Sequence, residues 1–409
     1  MGREVLRGPF SPEKDTLRKL LVLAYYFPPC ARSGVQRALR LAKYLPRHGW
    51  EPVFIAPERP HCRGRNDPAL LRETEGARVY RVPDPMPFKD TTNFIARAAR
   101  RLWNALASPD AHSLWAEGAA GLGIELARRE RFSGVLATGY PFSSFVAAEK
   151  ISRASGLPLL LDYRDPWTGN PAFRQNRALE ARLLGSAAGV FCATRAQAEH
   201  ISRIFGHEGK FRVFPYSYEP RPPVPPGDKL IIGFGGTSYD NLTPFKTFLL
   251  GLKDTPWEFI AHGALGGQLS RIADELGISE RVRFSGFLPR EEYFRFLESC
   301  RAVLIADGFP DEMERRLVPG KFLDALSVGR PVLYVGLEGL LWEIILENRV
   351  GFAVRWDDPD GVRAALDSLA NWGQKPVSVP GLEAGNVMEL FVRDLNELLY
   401  GAPKSPPEL

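Results

Sequence analysis

Cysteine is scarce in this chain: four in 409 residues, Cys30, Cys62, Cys192 and Cys300, with no C-x-x-C pair. That spacing argues against a zinc site or a disulfide framework and makes a reducing cytoplasm the simplest setting. Long apolar runs are missing as well. Leu20–Phe27 is too short for a signal-peptide core and ends at Pro28-Pro29, and nothing approaches the roughly 20 apolar residues of a membrane span. Neither sign of charge dominates, since 53 Lys and Arg face 48 Asp and Glu for a net +5. That balance is too mild to imply a nucleic-acid partner, and none is expected, while it admits anionic ligands or acidic lipid headgroups. The six histidines are isolated. His48, just before Gly49, suits a helix C-terminus, and His112, in a loop, is an outside candidate for acceptor chemistry.

What the chain has in quantity is glycine (38) and proline (35), the punctuation of many short turns. Leu20–Tyr26 reads as a strand buried on both faces of a parallel sheet. A loop and a helix, Val35–His48, follow, then the strand Pro52–Ala56, so the chain opens as βαβ. The helix carries a basic stripe, Arg37, Arg40, Lys43 and Arg47. A second basic helix is expected over Asn93–Ala107, and the two faces could meet an anionic bilayer or simply be solvated. Pro220–Gly227 is too proline-dense to join a sheet. Four parts are therefore expected: residues 1–218, a Rossmann-like domain; 219–228, a stiff linker; 229–385, a second Rossmann-like domain; and 386–409, a C-terminal helix packing back on the first. The fold class is α/β.

The stretch Val318–Leu333 carries the sharpest local chemistry. Pro319 suits a helix start, Gly320 admits close approach to the backbone, and Gly329 with Pro331 ends the helix. The first turn offers free amides and a positive dipole to a phosphate. Lys321 adds charge, and Asp324, one turn on, could accept hydrogen bonds from a ribose. An ordinary capped helix would look the same. Asp358-Pro359-Asp360 reads as a helix cap rather than a metal motif, and Gly233-Phe234-Gly235-Gly236 lacks the third glycine of a dinucleotide fingerprint.

Taken in order, four motifs resemble a family 4 glycosyltransferase of the GT-B type over about Leu20–Leu369. They are Tyr25–Pro29 with Ser33–Arg37, then Asp162–Thr168, then Gly235–Tyr239, and finally Pro319–Leu326 with Gly329–Val332. The resemblance implies two Rossmann-like domains facing a cleft and transfer of a sugar from a nucleotide-sugar, with retention and without a metal or other cofactor. A UDP- or GDP-type donor would be held by the C-terminal domain. The donor side falls on Gly34, Gly236, Thr237, Tyr239, Phe287, Leu288, Pro319, Gly320, Lys321, Phe322 and Asp324. The acceptor side falls on Arg32, Gln36, Tyr140, Arg164 and Asp165, with Asp165 and Lys321 as catalytic candidates. Asp165 could instead pair with Arg164 and stiffen its loop. The acceptor is unidentified, with a lipid-linked molecule and peripheral membrane contact among the options. One departure stands out: Arg316 occupies a position where many members carry glutamate. Two alternatives follow, a nucleotide-sugar epimerase of the same build and a non-catalytic nucleotide-binding protein.

Overall fold

The computed structural model describes residues 17–401, apart from residues 33, 63–65, 86–93, 95–102, 104–106, 170, 238–240, 265–266, 307–316 and 374. The chain divides into two compact units, Met1–Pro215 with Met388–Leu409, and Tyr216–Val387.

The first unit is built on seven parallel strands: β1 Arg18–Leu23, β2 Trp50–Pro57, β3 Arg78–Val82, β4 Gly134–Gly139, β5 Leu159–Tyr163, β6 Gly189–Cys192 and β7 Phe211–Val213. Their order is β3-β2-β1-β4-β5-β6-β7. Leu21 lies between Val53 and Val135, so the central strands are apolar on both faces and fully buried, as parallel sheets require. Strand order reverses direction at the β1–β4 junction, the place at the carboxyl ends where sheets of this kind take their ligands.

β1 is shorter than the apolar run suggests. It stops at Leu23, and Ala24–Phe27 continue as buried loop. The first helix, Val35–Tyr44, tightens into a 3₁₀ turn, Leu45–His48, closed by Gly49 at φ +79°. Two members of its basic stripe are not solvated. Arg37 and Arg40 are buried, while Lys43 and Arg47 are exposed. Arg37 turns inward because partners await it. Asp162 lies 3.1 Å from Nε, the Phe214 and Pro215 carbonyls accept from its guanidinium at 2.6 and 3.0 Å, and its plane stacks 3.5 Å from the Phe214 ring centroid. Most of the second basic helix lies outside the described residues. Among the described residues no helix is long and apolar enough to cross a membrane.

The scarcity of cysteine misleads in one respect: Cys30 and Cys62 form a disulfide. The loop after β1 and the segment after β2 run side by side, with Cys30 bridged antiparallel to Asn66 and the two Cα atoms 5.5 Å apart. Cys192 and Cys300 are buried thiols.

The second unit repeats the plan with β8 Ile231–Thr237, β9 Glu258–Ala264, β10 Val282–Ser285, β11 Ala302–Ala306, β12 Val332–Gly336 and β13 Gly351–Arg355, ordered β10-β9-β8-β11-β12-β13. Aromatic-rich cores cover both faces, one around Phe245, Phe248 and Trp257, the other around Phe322, Leu326 and Ile345. Trp356 and Trp372 pack on the first of these, and Trp342 on the second. The proline-rich run belongs to this unit, because the Arg221 amide donates to Ser327 and Arg330 donates to the Val224 carbonyl, each at 2.8 Å. The division between units falls at Pro215–Tyr216, a few residues before that run. The last helix, Ala384–Tyr400, passes from the second unit to the first, where Phe391 stacks 4.2 Å from Phe214 and 4.7 Å from Phe191.

Candidate active site

In the second unit the expected donor residues gather at the carboxyl end of β8. Gly236 has φ +136° and no side chain, and a Cβ built there would lie 3.7 Å from Lys321 Cε. The Lys321 ammonium sits 4.8 Å from the Phe234 ring centroid, a cation–π contact that holds it over the strand end. Lys321 and Asp324 lie one turn apart on the helix Gly320–Ser327, whose N-cap is Pro319 at φ −72°. Two positive sources, the helix N-terminus and Lys321, thus face the glycine turn, a setting that favours a phosphate.

Sequence reasoning missed a neighbour. The Tyr293 ring lies over Gly235, where any side chain would collide with it. Burial, and then the charge of Asp324, push its phenol well above the ordinary range. At the ends of β9 and β10, His262 Nδ1 and Ser285 Oγ are 2.7 Å apart. The loop that follows exposes Phe287 (58%) and leaves Leu288 half-buried. Strand-end position is the signal that could have found His262 and Ser285.

Phe322 is a correction. Its side chain is wholly buried in the core and its amide donates to Pro319 at 3.0 Å, so it has nothing to offer a ligand. One residue past Lys321 on a helix is a rotation of about 100°, which carries Phe322 inward. Thr237 ends β8, and Tyr239 and Arg316 lie outside the described residues.

In the first unit Gly34 is the N-cap of Val35–Tyr44. The space above it is filled: a Cβ there would meet the Arg164 guanidinium and the Tyr26 ring. Arg164 is buried and donates to the Tyr140 carbonyl, while Arg32 lies 5.0 Å from the Tyr26 ring. Gly34, Arg32, Arg164 and Tyr140 therefore form one cluster at the β1–β4 junction, with Gln36 half-buried nearby on the helix and Asp165 exposed on the loop after β5. Beneath it Asp162 is completely buried. Desolvation raises its pKa despite the pull of Arg37 and Arg164. Asp358, by contrast, caps its helix as its sequence suggests, accepting from the Gly361 amide at 2.8 Å.

Residues 33–217 match the glycosyl transferase 4-like domain. No curated protein matches the chain by sequence. Among solved structures, the lipopolysaccharide outer core galactosyltransferase WaaB in its apo form superposes with a TM-score of 0.59 at 13% identity, covering 92% of this chain and 99% of that one. Alr3699/HepE from Anabaena, in complex with UDP-glucose, gives 0.59 at 14% identity, covering 93% and 99%. A UDP-N-acetylglucosamine 2-epimerase structure from Listeria monocytogenes, described as putative, gives 0.56 at 12% identity, covering 96% and 100%. At these identities the likeness is one of fold, two Rossmann-like units of the GT-B kind.

Proposed function

We propose, for a chain whose residues 33–217 match the glycosyl transferase 4-like domain and whose two units have the GT-B fold, that it transfers a sugar from a nucleotide-sugar to a hydroxyl-bearing acceptor. The observation that carries this reading is the convergence of Gly236, Lys321 and Asp324 at the end of β8. There the diphosphate takes the glycine turn and the helix N-terminus, Lys321 neutralises the leaving group, and Asp324 accepts from the ribose. Two fixed sources of positive charge make a metal unnecessary, and we assign retention at the anomeric carbon by the family resemblance. The donor is of the UDP or GDP type, in keeping with the UDP-glucose complex of the HepE neighbour. The Arg32–Arg164–Tyr140 cluster of the first unit serves the acceptor, with Asp165 at its rim. The supply of the donor favours the cytoplasm, against the Cys30–Cys62 disulfide, and membrane contact is left to exposed basic side chains such as Lys43 and Arg47.

Thermal melting with UDP, GDP, ADP and TDP and their sugars tests the donor site. One nucleotide should raise the melting point of the wild-type protein and do so far less for Asp324→Ala. No shift with any of them overturns the transferase reading. Release of free nucleoside diphosphate with an altered sugar and no glycosylated acceptor would instead favour the epimerase.

A further inference from the structure

A buried polar chain in the first unit, which includes His112, stands apart from the donor and acceptor groups described above. It joins residues just past β1, just past β3 and just before the helix Ser113–Arg129. Tyr25 Oη donates to Asp84 Oδ2 at 2.5 Å, and the His61 amide donates to Tyr25 Oη at 3.1 Å. His112 Nδ1 lies 3.3 Å from the same Asp84 oxygen, with its ring centroid 4.1 Å from that of Tyr25. The Asp84 side chain is fully buried and that of His112 is 4% exposed.

The histidine is fixed at its backbone too. Asp110 accepts from the His112 amide at 3.0 Å and from the Ser143 amide, at the head of the helix Ser143–Ser155, at 2.9 Å. Such a ring is pre-organised. In the neutral ring a carboxylate at Nδ1 keeps the proton there and leaves the lone pair on Nε2, and Nε2 has no hydrogen-bond partner among the described residues. Burial and Asp84 both raise the pKa of Tyr25, so its hydroxyl stays a donor. Every other member of the chain is satisfied. The half-buried Tyr140 ring, whose carbonyl holds Arg164, stands 6.4 Å from the imidazole.

We propose that His112 binds the acceptor, its Nε2 accepting a hydrogen bond from a carbohydrate hydroxyl while Asp84 and Tyr25 fix the tautomer. A bare ring nitrogen is matched to an O–H donor, and the neighbouring Tyr140 ring gives a sugar a face to pack on. Asp84 and Tyr25 are positioning residues. The inference rests on the transferase reading and names its acceptor class.

The test uses the full chain, the nucleotide-sugar selected by melting, and methyl glycosides of glucose, galactose and mannose as probes. His112→Asn keeps an amide for Asp84 and offers nothing at Nε2, whereas His112→Gln places a carbonyl oxygen near that position. We expect His112→Asn to raise KM for the reactive glycoside about tenfold, the worth of one lost hydrogen bond, with the donor KM and the nucleotide melting shift unchanged. His112→Gln should stay within about threefold of wild type, and Asp84→Asn, which no longer fixes the tautomer, should resemble His112→Asn. An unchanged acceptor KM in His112→Asn, or a donor KM rising in step with it, overturns the proposal. A wild-type protein that binds nucleotide yet glycosylates none of the probes overturns the carbohydrate assignment and leaves the transferase reading standing. Absence of any nucleotide shift ends both.

Discussion

Arg37 and Asp162 occupy positions where a solvated helix face and a strand end would ordinarily meet, yet both are buried, 3% and 0% exposed. A guanidinium out of water needs every partner it has here: one carboxylate, two carbonyls and an aromatic face. Removing one member of such a pair strands the other, which costs more than the pair itself contributes. Asp162→Ala should therefore destabilise the protein by about 3–5 kcal/mol in urea unfolding. Arg37→Met with Asp162→Leu should lose much less. A single mutant no worse than the double would mean that Arg37 finds water when Asp162 is gone.

One of the charge ties between elements, centred on Glu130, can be read by pH. Glu130 is the C-cap of the helix Ser113–Arg129. It accepts from Lys19 of β1 at 2.7 Å and from Arg78 of β3 at 2.5 and 2.9 Å. These bonds hold its carboxyl down to about 2. A depressed acid stabilises the fold above its unfolded pKa, and that stabilisation is lost as pH falls toward the folded value. Glu130→Gln should lower the melting point at pH 7 by roughly 2–4 °C, for about 1 kcal/mol from partly exposed pairs. The gap should close between about pH 4.5 and pH 2. A gap independent of pH would assign the loss to packing. At this scale much was legible in the sequence. The apolar runs Leu20–Leu23 and Val303–Ala306 are strands because only a doubly covered parallel sheet hides such runs. Pro319 and Gly329 mark the limits of the helix Gly320–Ser327 because of their backbone chemistry. The Cys30–Cys62 bond, the inward turn of Arg37 and the Tyr25–Asp84–His112 chain were not legible, since each joins residues 28 or more apart whose meeting depends on sheet order. Phe322 was misplaced for another reason: a motif fixes a position along a helix, not the face on which it falls.

At the scale of the molecule, the chain leaves its first unit at Pro215 and comes back at Met388. The returning helix completes that unit's core. Phe391 is 1% exposed against Phe191 and Phe214, and Leu399 and Leu398 lie over Gly134 and Gly189, where added side chains would crowd them. Phe391→Ala should cost about 3–5 kcal/mol, visible as a lower urea midpoint. A chain ended after Val387 should lose the first unit's cooperative melting altogether, and retention of that transition would show the helix to be an accessory.

The same return sets a timetable for biosynthesis. The strands carrying Phe191 and Phe214 emerge early, but the segment that covers them follows roughly 170 residues later. At about 5–20 residues per second the nascent protein shows an uncovered aromatic surface for roughly 10–35 s. Until translation ends, that surface is open to chaperones and to neighbouring nascent chains.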